Sequence, residues 1–209
     1  MAEVVPIGAR RGAPVRFPDD ESLVYALRAG DRAAMDAFVD RYGSYVERVL
    51  VRILGFDGEL PDLVHDVFLS ALDSLKSLRQ PALLREWLRG VTVFVARGCL
   101  RRRRRRRWLT FRPDHELPDL ASDVLPSNTA DALARLYKLL GKMPPDECIV
   151  FALRFIAELE LAEVAEACRV SRTTVKRRLQ KAEARFAVEA RKDPLLSEWM
   201  SRGARWGES

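Results

Sequence analysis

Cysteine is scarce: Cys99, Cys148 and Cys168 are three in number and far apart. An odd, dispersed set argues against a disulfide framework and suits a reducing compartment. Histidine is scarcer still. His65 and His115 give no zinc spacing with the cysteines. No apolar run approaches the roughly 18 residues of a membrane span, the longest compact one being Cys148 to Leu153. The N-terminus carries no apolar segment before a small-residue cleavage site, so no secretory leader is expected and a cytoplasmic location is. Phosphate-loop, dinucleotide, nucleophile-elbow and zincin patterns are all missing. The expectation is therefore no catalytic residue, no metal, no cofactor and no enzyme.

What is present is charge, unevenly placed. The chain of 209 residues has 36 Lys+Arg against 30 Asp+Glu, a formal net charge of +6. Residues 97–112 alone carry 9 basic groups and no acidic one, so the rest of the chain nets −3. Residues 113–129 hold Asp114, Glu116, Asp119 and Asp123 with no basic residue, and residues 130–191 net +3. A single concentrated stripe points to a polyanion partner.

Apolar periodicity reads as helix throughout, and nothing reads as a period-two strand. Residues 1–21, with three prolines, are expected to be a flexible arm. A short helix begins at Ser22. Asp31 is placed to cap a longer one, whose Ala34, Phe38, Tyr42, Tyr45, Val49 and Ile53 form one buried stripe until Gly55 ends it. A third helix spans about Pro61 to Ser74, with Leu63, Val67, Leu69, Ala71 and Leu72 apolar and Asp62, Asp66 and Asp73 off that face. A fourth follows Pro81 and runs straight into Arg101 to Arg107. Residues 108–129, punctuated by Pro113, Pro118 and Pro126, read as an acidic, extended linker. Helices resume near Ala130 and end near Arg191, leaving a tail at 192–209. The expected fold is all-α: a helical bundle over 22–107 and a second small helical domain over 130–191.

Two constellations carry the functional signal. In Leu161 to Leu179, Val164, Ala165 and Cys168 are the buried side of one short helix and Val170 fills a turn. Ser171 caps the next helix, and Val175 and Leu179 are its inward pair. This is a helix-turn-helix pattern. Its second helix would enter a major groove, with Arg172, Thr173 and Lys176 placed for base readout. Thr174 lies in the first turn, and Arg177, Arg178 and Lys181 are placed for phosphates. The bland alternative is a helical hairpin with a solvated basic face. Arg169 stands where the turn favours glycine, at a cost of about 1 kcal/mol. The second constellation runs from Trp87 to Arg107 and joins an apolar-striped helix to seven arginines. Trp87, Phe94, Arg97, Arg101, Arg102, Arg104 and Arg105 suit a nucleic-acid strand, rings stacking on bases and guanidinium groups holding the backbone. The alternative is a solvated charge run.

With these residues in view, the chain resembles RNA polymerase sigma factors of the extracytoplasmic-function (ECF) type. Leu27-Arg-Ala-Gly-Asp31 with Phe38 and Arg41-Tyr42 resembles the opening of the family's region two. Asp62-Leu-Val-His-Asp-Val-Phe-Leu69 resembles its "DLVQEVFL" stretch, and Thr174-Val175-Lys176 the "TVK" core of region four. The resemblance implies that Asp62, Leu63, Asp66 and Val67 meet the β′ clamp helices of core polymerase; Leu63 and Val67 either support that face or are simply core, and core is the better reading. It implies that Trp87 to Arg105 melts and reads the minus-ten element, and that the helix-turn-helix reads the minus-thirty-five element. Implied partners are core RNA polymerase (β′ clamp helices and β flap), promoter DNA and an anti-sigma factor, with no membrane insertion. The sequence departs from the family at Phe94, where many members carry Asn, and at Gly98, where Asp is common. Phe94 is readable as a base-stacking ring or as a core residue. Two rivals stand beside this reading: a helix-turn-helix regulator that does not engage polymerase as a sigma factor, and a nucleic-acid-processing enzyme, which would need convergent carboxylates or a metal.

Overall fold

The computed structural model describes residues 16–110, 127–194 and 196–197. Most of the arm, the linker and the tail, including Trp199 and Trp206, lies outside the described residues. Among the described residues there is no strand, and no helix is long and apolar enough to cross a membrane.

The first unit is built from α1 (Asp20–Arg28), α2 (Arg32–Leu54), α3 (Leu60–Ser74) and α4 (Leu84–Thr110), with short 3-10 turns at Leu75–Ser77 and Pro81–Leu83. Asp19 caps α1 by accepting from the Ser22 N–H at 2.8 Å, and Asp31 caps α2 through the Ala33 N–H at 2.9 Å. Each satisfies a backbone donor that the helix itself leaves unpaired. Ala34, Phe38, Val46, Leu50 and Ile53 of α2 are fully buried against Leu63 and Val67 of α3 and Leu84 and Leu88 of α4. Phe38 meets Tyr42 and Phe68 edge-on, at ring-centroid separations of 5.7 and 5.1 Å.

The second unit holds α5 (Ser127–Leu140), α6 (Pro145–Phe151), α7 (Leu161–Cys168) and α8 (Arg172–Ala190). A π-helical turn over Ala152–Ile156 continues α6. Pro145 sits in the first turn of α6, where its missing donor costs nothing. Phe151, Phe155 and Phe186 stack in tilted pairs at 4.9 and 5.0 Å and lock α6 to α8.

The two units are docked on each other. α4 packs on the first bundle with one side and on α6 and α7 with another, so Arg89, Gly90, Val93 and Ala96 are buried as well as Leu88 and Val91. At the far end of α2, the Tyr137 hydroxyl donates to the carbonyls of Val51 (2.9 Å) and Arg52 (3.2 Å). These belong to the last turn of α2, where the Val51 carbonyl also accepts from the Gly55 N–H at 2.8 Å. Gly55, at φ +78°, ends α2 under the Tyr137 ring, and a Cβ there would lie 2.8 Å from the ring's Cγ. Glycine is therefore required twice, for the backbone and for the close approach. Tyr137→Phe removes the donor and leaves the ring. It is expected to cost about 1 kcal/mol, read as a lower urea midpoint at unchanged slope; an unchanged midpoint would show that water replaces the phenol without loss.

Candidate nucleic-acid interface

Local chemistry builds the helix-turn-helix as its sequence suggests. α7 ends at Arg169, which takes φ 55°, ψ 48° in the left-handed region. The chain turns there, with the Arg169 N–H donating to the Glu166 carbonyl and the Val170 N–H to the Ala165 carbonyl, both at 3.0 Å. Ser171 then caps α8: its Oγ accepts from the Thr174 N–H at 3.2 Å and lies 2.9 Å from Thr174 Oγ1. Val175 and Leu179 point inward and are buried, while Arg172, Thr173, Lys176, Arg177 and Lys181 are exposed along one rim of α8. Thr174 is half-buried by its capping contact. Arg178 is different from its neighbours. Its Nη2 is 3.2 Å from Asp146 Oδ2, and its buried Nη1 has no protein partner.

On α4, Phe94 is 67% exposed. It is an open aromatic face on an otherwise buried stretch of helix, not a core residue. Trp87 is half-buried and donates from its indole N–H to Ser77 Oγ at 3.1 Å. It lines an inter-unit cleft of about 330 Å³ together with Leu78, Leu83, Gly90, Glu166 and Arg169. Arg97 is turned toward the second unit, its Nε 2.9 Å from Asp146 Oδ1. Arg101, Arg102, Arg104 and Arg105 are exposed. Arg103 faces the α2–α3 loop and ion-pairs with Asp57 (2.6 Å) and Glu59 (3.3 Å). The arginine run is thus not one uniform surface. A helix rotates about 100° per residue, so the run divides into a face tied to Asp57 and Glu59 and a face open to solvent.

Asp62 and Asp66 are exposed on α3. Leu63 and Val67, by contrast, are 2% and 0% exposed and belong to the core of the first unit. A helix cannot present the same side chain to its own core and to a partner, so these two leave the candidate contact surface. Leu69, placed with the buried stripe by its sequence, is 49% exposed. It lies on the face of Asp62, Asp66 and Asp73 at helical spacing. The signal was available: Leu69 is seven residues from Asp62, two turns along one face.

Among the described residues no group of three or more His, Cys, Asp or Glu is placed to hold a metal ion. The three cysteines are buried, and burial pushes the Cys168 thiol up to about 11, against which Arg97 and Arg178 pull. Such a thiol is a poor nucleophile at neutral pH.

Comparison with known proteins agrees with this arrangement. Residues 38–109 match the family model described as sigma-70 region 2, and residues 133–186 match that of sigma-70, region 4. The chain is 25% identical over 188 residues to the RNA polymerase sigma-H factor of Pseudomonas aeruginosa, covering 86% of this chain and 96% of that one. It is 26% identical over 186 residues to the ECF RNA polymerase sigma-E factor of Haemophilus influenzae, covering 85% and 97%. A solved structure, that of CnrH in complex with the cytosolic domain of CnrY, shares the fold at a TM-score of 0.55 and 20% identity, over 83% of this chain and 98% of that one. With both sigma-70 regions present in order and 96% and 97% of these two relatives spanned, the chain belongs to the sigma-70 family of RNA polymerase sigma factors, of the ECF type.

Proposed function

We propose that this chain works as an ECF sigma factor through three surfaces: α3 on core polymerase, α4 on the minus-ten element and α8 on the minus-thirty-five element. Residues 22–107 form the domain that carries the first two, and 130–191 the domain that carries the third. The observation that carries the reading is the pairing of an exposed basic recognition helix with a second helix bearing an open aromatic ring and a solvent-facing arginine row. Arg172, Thr173 and Lys176 read base edges, and Arg177, Arg178 and Lys181 hold phosphates. Phe94 stacks on an unpaired base, with Trp87, Arg97, Arg101, Arg102, Arg104 and Arg105 along the strand. The β flap of polymerase, an anti-sigma factor and a cytoplasmic location belong to the same reading. So does the absence of an enzymatic step.

Core binding rests on α3. Asp62, Asp66 and Asp73 form an exposed acidic stripe with Leu69 among them, suited to a basic partner surface with one apolar socket. Reconstitution with purified core polymerase tests this. The wild-type chain is expected to co-migrate with core and direct specific transcription from genomic fragments. Asp62→Lys with Asp66→Lys is expected to weaken core binding at least tenfold with an unchanged helical spectrum. Failure of the wild type to bind core would favour the rival helix-turn-helix regulator, which needs no polymerase surface. Unchanged affinity of the charge-reversed protein would remove α3 from the interface.

A further inference from the structure

Asp146, in the first turn of α6, receives an arginine on each carboxylate oxygen. Oδ1 lies 2.9 Å from Arg97 Nε and Oδ2 lies 3.2 Å from Arg178 Nη2. Arg97 comes from α4 of the first unit, and Arg178 from α8 of the second. One carboxylate thus gathers an arginine from each of the two helices assigned to DNA. All three side chains are shielded, at 18%, 23% and 32% exposure for Arg97, Arg178 and Asp146. In that setting a charge pair is far less screened than on open surface.

We infer that Asp146 is an internal stand-in for a DNA phosphate, which holds the two domains closed and keeps Arg97 and Arg178 from nucleic acid until a strand competes for them. The inference rests on the assignment of these two arginines to DNA contact. A carboxylate and a phosphate offer arginine the same acceptor chemistry, so one can replace the other. The geometry of docking supports an autoinhibitory role. Closure buries Gly90, whose Cβ position faces the Ala167 carbonyl and Arg169 at 3.8 Å, and it places Trp87 in the inter-unit cleft. Arg89, also buried, reaches Glu163 of α7 at 3.1 Å. The closed form therefore covers one flank of α4 while leaving Phe94 and Arg101 open, and it leaves Arg172, Thr173 and Lys176 of α8 fully open. Closure also brings α4 against α6 and α7. Elements at minus ten and minus thirty-five lie roughly 85 Å apart along a duplex at about 3.4 Å per base pair. A molecule that spans them has parted its two units, and the Arg97–Asp146 pair must break when it does. Arg97 links the two: engaging a strand withdraws one of the contacts that hold the second domain, beside Arg89–Glu163 and Tyr137 on the α2 carbonyls.

The full-length chain without polymerase provides the test. Asp146→Asn keeps the shape and removes the charge. Its radius of gyration by X-ray scattering is expected to rise, and its affinity for a mixed-sequence single-stranded 20-mer to increase at least threefold. Asp131→Asn removes the same charge from an exposed carboxylate of the same domain and is expected to change neither. Equal gains in both variants would reduce the effect to net charge and overturn the inference, as would an unchanged radius for Asp146→Asn. Should that variant fail to fold, the wild type decides: saturating single-stranded DNA is expected to expand it, and a constant radius overturns the proposal. None of these readouts uses polymerase, so a chain that failed to direct transcription would fail the functional reading while leaving this result to stand by itself.

Discussion

Replacing Arg101, Arg102, Arg104 and Arg105 together by alanine flattens the salt dependence of single-strand binding. These four guanidinium groups face solvent at the end of α4. Each that neutralises a phosphate releases condensed counterions, contributing about −0.7 to the slope of log affinity against log salt on a single strand. The quadruple variant is therefore expected to lose about 3 from that slope, and at low salt to bind a single-stranded oligonucleotide at least a hundredfold more weakly. Its fold is expected to survive, because none of the four makes a hydrogen bond or ion pair in the core of the first unit and alanine is the best helix former. Arg103→Ala behaves in the opposite way. Its guanidinium is spent on Asp57 and Glu59, where it fastens α4 to the α2–α3 loop. Removing it leaves Asp57, itself largely shielded, without its 2.6 Å partner. The expected result is a lower thermal midpoint with the salt slope unchanged. Fluorescence anisotropy across a salt series, with a thermal melt of each variant, separates the two. Equal slopes for the quadruple variant and the wild type would remove the arginine row from the DNA surface.

That division shows where sequence reasoning reaches and where it stops. Capping and turn chemistry are local, so Asp31, Ser171 and the left-handed Arg169 were legible from a few neighbouring residues. Both apolar anchors of α8, Val175 and Leu179, followed from a spacing of four. The all-α fold, with the arginine run as a continuation of α4, followed from unbroken helical periodicity. Seven identical residues, however, carry no pattern of their own. Which of them is structural depends on Asp57 and Glu59, more than forty residues earlier. Leu69 was misplaced for a related reason. It sits beside a strong apolar stripe in the sequence, although the bundle buries the side of α3 that bears Leu63 and Val67 and leaves Leu69 outside. Asp146 carried no signal at all. An acidic residue in a first helical turn already has a local explanation in the helix dipole. Its meeting with Arg97 exists only once the two units dock. Long-range pairing of charged groups is therefore the part of this site that periodicity could not supply.

Phe151→Ala is expected to abolish recognition of the minus-thirty-five duplex without touching a DNA-facing residue. Phe151 is fully buried, with its ring 4.9 Å from Phe155 and 5.0 Å from Phe186. Phe186 lies on α8, so this contact sets how the recognition helix is held against α6. Truncation to alanine loses the transfer energy of the ring and leaves a cavity, about 3–5 kcal/mol in a well-packed core. Small domains are stable by only about 5–15 kcal/mol in all, and this one is built from four short helices. Two further effects compound the loss. The Glu147–Arg185 pair at 2.9 Å and the Asp146–Arg178 pair at 3.2 Å, which also tie α6 to α8, depend on the same helix placement. Tyr137 and Glu163 also lend their contacts to the first unit only while α5 and α7 keep their positions. Val188→Ala, on the same helix but 55% exposed, removes apolar atoms that the fold does not bury and is expected to shift stability by less than about 0.5 kcal/mol. Circular dichroism melts of both variants, with duplex and single-strand affinities measured side by side, decide the matter. The expected pattern for Phe151→Ala is loss of duplex binding with single-strand binding through α4 retained or strengthened. A variant that kept full duplex affinity would show that the orientation of α8 is set by Val175 and Leu179 against α7, and that the aromatic cluster only fills space.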